Sequence, residues 1–185
     1  MSKNSWGYIN NHDYRTANSL IDDLVDIVSK NGCLLLNIGP KPDGTIPEPE
    51  IKLLDEIGQW LAVNGEAIYG TRTWKVFGEG ATKVSDGPFA ERNRQDFSAE
   101  DLRFTTRGAT LYAIALDWPA NGKLVVKSLA KTGGGQSVRS VSLLGYNGKL
   151  EWQHTADGLV VTLPQQKTGA HAFTLKINGD GLMAQ

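Results

Sequence analysis

Few residues of this 185-residue chain have the type and spacing to make or break bonds. His12, His154 and His171 do not fall at the short spacings of a metal-binding motif. The single cysteine, Cys33, has no partner for an internal disulfide and no second thiol for a zinc site. Inside an apolar run it reads as a small buried hydrophobe. There is no Walker loop and no G-x-S-x-G. His154 alternates with Trp152 and reads as a surface or edge residue, while His171 and Glu66 read as structural partners. His12 sits in a polar loop after Trp6-Gly7-Tyr8, and Asp43-Gly44 suits a turn in which the carboxylate accepts a local backbone bond. Recognition chemistry is better represented. Trp6 offers a flat apolar face near the start of a loop, which suits the C–H patches of a sugar ring. The alternative is simple burial, the usual fate of tryptophan. Asn37 places a polar amide at the end of the apolar run Cys33-Leu34-Leu35-Leu36.

That run is the stretch around which the first part of the chain is organised. Four apolar residues in succession predict a strand buried on both faces, as in a parallel sheet. Gly39, Pro40, Pro42, Gly44 and Pro47 then turn the chain repeatedly. In parallel α/β folds the loops leaving the carboxyl ends of strands carry ligand chemistry. Residues 31–47 therefore read as part of a site wall or as a buried strand followed by a rigid turn. Helices flank them. Over about residues 17–30, Leu20, Ile21, Leu24, Val25 and Val28 share one face. Thr16 or Asn18 can cap the start of this helix, and Asn31-Gly32 stops it. Over about residues 49–63, Leu54, Ile57 and Leu61 form a stripe flanked by Ile51 and Trp60, and Asn64-Gly65 ends it.

Near residues 71–74 the grammar changes. Residues 79–101 are polar and contain Gly80, Gly87 and Pro88. Alternating runs follow at 102–106, 110–118, 123–128, 138–144, 149–154, 158–163 and 172–177. Arg107-Gly108, Asn121-Gly122, Gly133-Gly134-Gly135, Asn147-Gly148 and Asp157-Gly158 separate them, and Asn-Gly or Asp-Gly between apolar runs predicts hairpins. The pattern is that of an antiparallel sandwich. Residues 1–74 hold one predicted parallel strand, which alone has no neighbours for its backbone groups. That piece reads as the end of something longer. In isolation it is expected to self-associate or to be locally disordered, with Leu20, Leu24, Leu35 and Ile57 exposed unless another chain covers them.

Hydrophobic residues make up 40% and charged residues 21%, an ordinary globular composition. The formal net charge is -1, from 19 basic and 20 acidic residues, with no basic stripe, which argues against nucleic acid as the main partner. No apolar run is long enough to span a bilayer, and the opening M-S-K-N-S-W-G-Y has no signal-peptide h-region.

Three segments carry a family likeness: S-W-G-Y, N-G-C-L-L-L-N-I-G-P-K-P-D-G-T-I-P, and G-Q-W-L-A-V-N-G-E-A-I-Y-G-T-R-T-W. Together they closely resemble the C-terminal end of the family 29 glycoside hydrolases, the α-L-fucosidases. L-Y-A-I-A-L-D-W-P and L-L-G-Y-N-G-K-L-E-W resemble that family's C-terminal domain. The departure is Cys33, where the family often has Asn. The resemblance implies that residues 1–74 are the last βα units of a (β/α)8-like barrel and residues 75–185 a β-sandwich. It implies retaining hydrolysis of terminal α-L-fucose from glycans, with no cofactor and no metal. That mechanism needs a carboxylate nucleophile and a carboxylic acid/base. In the family both lie upstream of S-W-G-Y, so the chain is expected to contain no catalytic residue and to be inactive alone. Met1 matches an internal family position, which predicts an incomplete gene or a shortened chain. Trp6 is the substrate-binding residue carried over, packing near the fucose ring and its methyl group. Gly7 and Tyr8 support it, and Asn37 shapes the rim of the barrel mouth. Family members are commonly secreted, periplasmic or lysosomal. The runner-up reading is a non-catalytic carbohydrate-binding or scaffold sandwich, which Trp118 and Trp152 exposed together on one face would favour.

Overall fold

In a computed structural model, residues 1–84, 95–131 and 136–183 are described. Gly87, Pro88 and the glycine turn at 133–135 lie outside the described residues. Helix α1 spans Ala17–Ser29, and the Thr16 hydroxyl caps it by accepting the Ser19 N–H at 3.2 Å. Its end is marked by Asn31, whose φ of 65° is left-handed, and by Gly32, whose N–H returns to the Ile27 carbonyl at 2.9 Å. Helix α2 spans Glu48–Asn64 and runs into a single 3-10 turn at Gly65–Ala67.

The remaining described elements are a second 3-10 turn at Lys127–Leu129 and the strands β1 Arg72–Glu79, β2 Leu102–Arg107, β3 Thr110–Ala115, β4 Lys123–Val126, β5 Ser137–Leu143, β6 Glu151–Thr155, β7 Gly158–Thr162 and β8 Phe173–Asp180. The strands form two antiparallel sheets, ordered β1-β2-β3-β8-β5 and β4-β7-β6. The two sheets face each other across a core that includes Leu102, Phe104, Leu111, Leu124, Leu159, Val161, Leu175 and Ile177. This is the β-sandwich expected from the alternating runs. The predicted hairpins form at Gly108, between β2 and β3, and at Asp157-Gly158, between β6 and β7. The two Asn-Gly pairs do something else. Asn121-Gly122 lies between β3 and β4, and Asn147-Gly148 between β5 and β6, so each turns the chain from one sheet to the other. Strand β1 was not predicted. Its register with β2 breaks between Thr73 and Gly78, so it lacks the steady alternation that marks the others.

The middle strands of the five-stranded sheet, β2, β3 and β8, are buried on both faces, and the second face is what positions the helices. Along β3, Leu111, Ala113 and Ala115 point into the sandwich. Tyr112, Ile114 and the following Leu116 point the other way and meet Ile21 and Val25 of α1 and Trp60 of α2. Trp60, expected only to flank its stripe, is central: its indole N–H donates to the Ala172 carbonyl at 2.7 Å. The expectation of exposed helix faces is therefore corrected in part. Leu20 is buried, and Leu24 and Ile57 are half-buried, because the sheet and the paired helices cover them.

The predicted strand at 33–38 is also corrected. Those residues pair with no strand among the described residues. Cys33 is exposed rather than buried, and Leu35 is 94% exposed. A parallel strand needs neighbours on both sides to satisfy its backbone groups, and every ladder here is antiparallel and lies in the sandwich. The apolar run is thus present without the sheet that would bury it.

Candidate functional site

Residues 2–14 form a closed loop. Ser2 bridges Tyr14, the Lys3 N–H donates to the Asp13 carbonyl at 2.7 Å, and the Arg15 N–H donates to the Met1 carbonyl at 3.1 Å. Asn4 pins the loop from inside by accepting the Asp13 N–H and donating to the Asn11 carbonyl, each at 3.0 Å. The tip is Trp6-Gly7-Tyr8, and Trp6 is 76% exposed. Behind it, His12 accepts the Ile9 N–H at 3.1 Å and sits between the rings of Tyr8 and Tyr14. Burial and the negative charge of Glu50 push the Tyr14 hydroxyl above its ordinary pKa.

The second part of the site is the unpaired segment at 33–39. The Asn37 side-chain N–H donates to the Trp6 carbonyl at 2.7 Å across 31 residues of sequence. Gly39 packs so closely on the tip that an added Cβ would stand 3.4 Å from the Gly7 carbonyl carbon and the Tyr8 nitrogen. The four residues singled out from sequence, Trp6, Gly7, Tyr8 and Asn37, are therefore neighbours in space. Downstream, Asp43 accepts the Thr45 N–H and hydroxyl, and these bonds hold its carboxyl below the ordinary value.

One residue of this cluster was missed. Glu50, in the first turn of α2, is 1% exposed and accepts the Gly39 N–H at 3.0 Å. Its other oxygen lies 3.9 Å from the Met1 nitrogen. The available signal was its place three residues after the helix-capping position Pro47, where a Glu often turns back toward the preceding loop. Nothing in the sequence signalled burial.

Chemically, this arrangement offers an aromatic face, a phenol and an amide, which suit recognition. Of its carboxylates, Asp13 is exposed and paired with Lys3 at 3.2 Å, while Glu50 is sealed behind the loop. A retaining glycosidase needs two carboxyl groups about 5–5.5 Å apart flanking the sugar, and these two do not form such a pair. The remaining candidates are structural. Lys176 donates to both oxygens of Glu66 at 3.0 Å, and His171 approaches Asn18 and Glu56 at 3.3 and 3.5 Å. His154 lies on edge strand β6 with a ring nitrogen 2.8 Å from the Leu129 carbonyl. Trp118 and Trp152 pack against the sandwich core rather than standing exposed together. Among the described residues, no group of three or more His, Cys, Asp or Glu is placed to hold a metal ion, and no helix is long and apolar enough to cross a membrane.

The fold and site define a two-part protein in which a loop carrying an exposed indole stands beside two helices that pack on a β-sandwich. Comparison with known proteins narrows it. The family model for alpha-L-fucosidase matches residues 1–66, and the model for the alpha-L-fucosidase C-terminal domain matches residues 94–178. Human tissue alpha-L-fucosidase is 35% identical over 187 residues, covering 97% of this chain and 36% of its own length. Rat plasma alpha-L-fucosidase is 37% identical over 171 residues, covering 89% and 33%. The structure of Thermotoga maritima alpha-fucosidase with a mechanism-based inhibitor superposes with a TM-score of 0.72 at 30% identity, covering 94% of this chain and 37% of that one. Isoenzyme 1 from Paenibacillus thiaminolyticus gives 0.70 at 27%. The chain belongs to the α-L-fucosidase family, glycoside hydrolase family 29, and matches its C-terminal part. It spans about a third of the length of the relatives it matches.

Proposed function

We propose that this chain is the C-terminal part of a retaining α-L-fucosidase that releases terminal α-L-fucose from glycoconjugates or oligosaccharides. In this reading residues 1–74 complete a (β/α)8-like barrel and residues 75–185 form the sandwich that buttresses it. The segment at 33–38 becomes a barrel strand once neighbours from the rest of a family-length protein flank it. The nucleophile and acid/base stand on those other segments, and the chain alone is inactive. Trp6 supplies the apolar face for the fucose ring, and Gly7, Tyr8 and Asn37 hold that face in place. Alone, the chain self-associates through the uncovered barrel remnant or is locally disordered there.

The observation that carries this reading is the 76% exposed indole of Trp6 on a tip tied to the segment at 33–39 by the Asn37 amide. An exposed aromatic whose backbone is fixed is suited to bind rather than to fill a core. The test is Trp6→Ala in a family-length protein containing these residues. Loss of the ring is expected to weaken binding of an aryl α-L-fucoside by about 1–2 kcal/mol, roughly 5–30-fold, with little change in melting temperature. Unchanged affinity with a much lower melting temperature would make Trp6 a packing residue and remove the sugar-binding role. The 185-residue chain should give no turnover of the same substrate, because positioning does not replace an absent nucleophile.

A further inference from the structure

We propose that Glu50 is a positioning residue that fixes the Trp6-Gly7-Tyr8 tip through Gly39 and Asn37; its relevance to fucose rests on the reading of Trp6 given above. Acidic residues in the first turn of a helix ordinarily face water and favour the positive end of the dipole. Glu48, two residues earlier, does so: its side chain is 70% exposed beside Lys52. Glu50 is 1% exposed instead. Sealing a carboxylate from water is unfavourable unless hydrogen bonds or an opposite charge replace the lost solvation, and here the Gly39 N–H and the Met1 ammonium are the groups that face it. A reciprocal capping bond does not account for it, because the cap residue Pro47 has no N–H to donate and the Glu50 carboxylate takes the Gly39 N–H at 3.0 Å instead.

Gly39 is where that bond matters. Residues 33–38 have no ladder partner among the described residues, and three contacts set the height of this segment: the Glu50 bond to Gly39, the Met1 ammonium, which donates to the Asn37 carbonyl and also faces Glu50, and Leu36 packed on Leu20 and Leu53. Two contacts, two residues apart, then transmit its position to the tip. Gly39 packs its backbone on Gly7 and Tyr8, and Asn37 donates to the Trp6 carbonyl at 2.7 Å. A buried charge thus holds one backbone N–H, and the flanking backbone holds the exposed indole. A hydrogen bond to a carboxylate is stronger than a neutral one, which suits a loop that must present one ring in one place.

The test uses the ¹⁵N-labelled chain and reads the Gly39 amide and the five indole N–H resonances, with Trp6 assigned by its loss in Trp6→Phe. Glu50→Ala should shift the Trp6 indole and leave those of Trp60, Trp74, Trp118 and Trp152 in place. It should also speed exchange of the Gly39 amide about ten- to a hundredfold, the loss expected for a bond to a charged group. Glu50→Gln keeps an acceptor oxygen and should restore the Trp6 resonance. Asn37→Ala should shift Trp6 while the Gly39 amide stays protected. The proposal is overturned if Trp6 does not respond to Glu50→Ala, or if all five indoles move and Glu50→Gln restores nothing. Should Glu50→Ala fail to fold, a rapidly exchanging Gly39 amide in the unmodified chain overturns the proposal. A protected amide together with an unshifted Trp6 in Glu50→Gln then supports it. Adding L-fucose to the family-length protein separates the two readings. A Trp6 that answers to Glu50 but not to fucose keeps the positioning role and removes the sugar role. One that answers to fucose but not to Glu50 does the reverse.

Discussion

The runs C-L-L-L-N-I at 33–38 and L-Y-A-I-A-L at 111–116 are nearly matched in length and apolar character, yet their surroundings are opposite. The second belongs largely to β3, has β2 on one side and β8 on the other, and is buried throughout. Among the described residues the first has no strand on either side, and its Leu35 is 94% exposed. An apolar run states what a segment would bury, whereas neighbours decide whether it can. The sandwich supplies its own neighbours within 185 residues; on the reading proposed above, the segment at 33–38 depends on others.

The helices join these two regions, and the largest predicted effect lies at that joint. Asp26 of α1 meets Arg103 of β2 at 2.5 Å, with the two side chains 8% and 4% exposed. Lys30 also reaches Asp26, and the guanidinium stacks over Phe97. Asp26→Ala would leave Arg103 charged and enclosed, so the chain should lose about 3–5 kcal/mol in chemical denaturation. A loss below about 1 kcal/mol would mean that α1 is loosely held and that the helices belong with the dependent region.

Within the sandwich, Leu111→Ala should cost about 2–5 kcal/mol, because the residue is fully buried between the sheets. A near-neutral result in a urea melt would show that the central strand tolerates a cavity and would blunt the contrast between the two runs.

The contrast also explains what was legible. Strands β2 to β8 were visible because alternation is a local property that each run displays by itself. Strand β1 was not, because Gly78 brings it against the Leu102 carbonyl, where a Cβ would stand at 2.3 Å, and the resulting irregularity erases the alternation. The turns were visible as turns, but whether Asn121-Gly122 joins two paired strands or two sheets depends on packing that the dipeptide does not encode. The helix at 17–30 was clear, yet its covering by Tyr112 and Ile114 was hidden. A strand buried on both faces declares that something covers it without saying what. At the site, Trp6 and Asn37 were visible by type and position. Glu50 was hidden because its burial follows from Gly39, which is distant in chemistry though not in sequence.

A smaller effect is expected at the base of the long β1–β2 connection. Buried Asp101 accepts the Ser98 and Thr82 N–H groups and both hydroxyls, at 2.7 to 3.2 Å. Burial pulls its pKa up, but these hydrogen bonds outweigh it and leave the carboxyl below the ordinary 3.8. A group with a depressed folded pKa contributes stability above its unfolded value and loses it as pH falls through the folded one. Stability measured from pH 5 down to about 2 should therefore decline less in Asp101→Asn than in the unmodified chain. Parallel declines would assign the acid sensitivity to other carboxylates.

The smallest effect belongs to Leu35, and it discriminates most sharply. In this chain Leu35→Ala removes a side chain that already faces water, so stability should change by less than about 0.5 kcal/mol. In a family-length protein the proposed reading places the same side chain inside a barrel wall, where the same substitution should cost about 2–5 kcal/mol. The two measurements share one mutation and differ only in the presence of neighbours. A large loss in both would mean that 33–38 finds its own cover within these residues. A negligible loss in both would mean that the run stays at the surface even when the remaining segments are present, and the barrel assignment for residues 1–74 would fall while the sandwich stood. A loss confined to the longer protein would show that the apolar character of 33–38 is written for a partner segment, as that of 111–116 is written for β2 and β8.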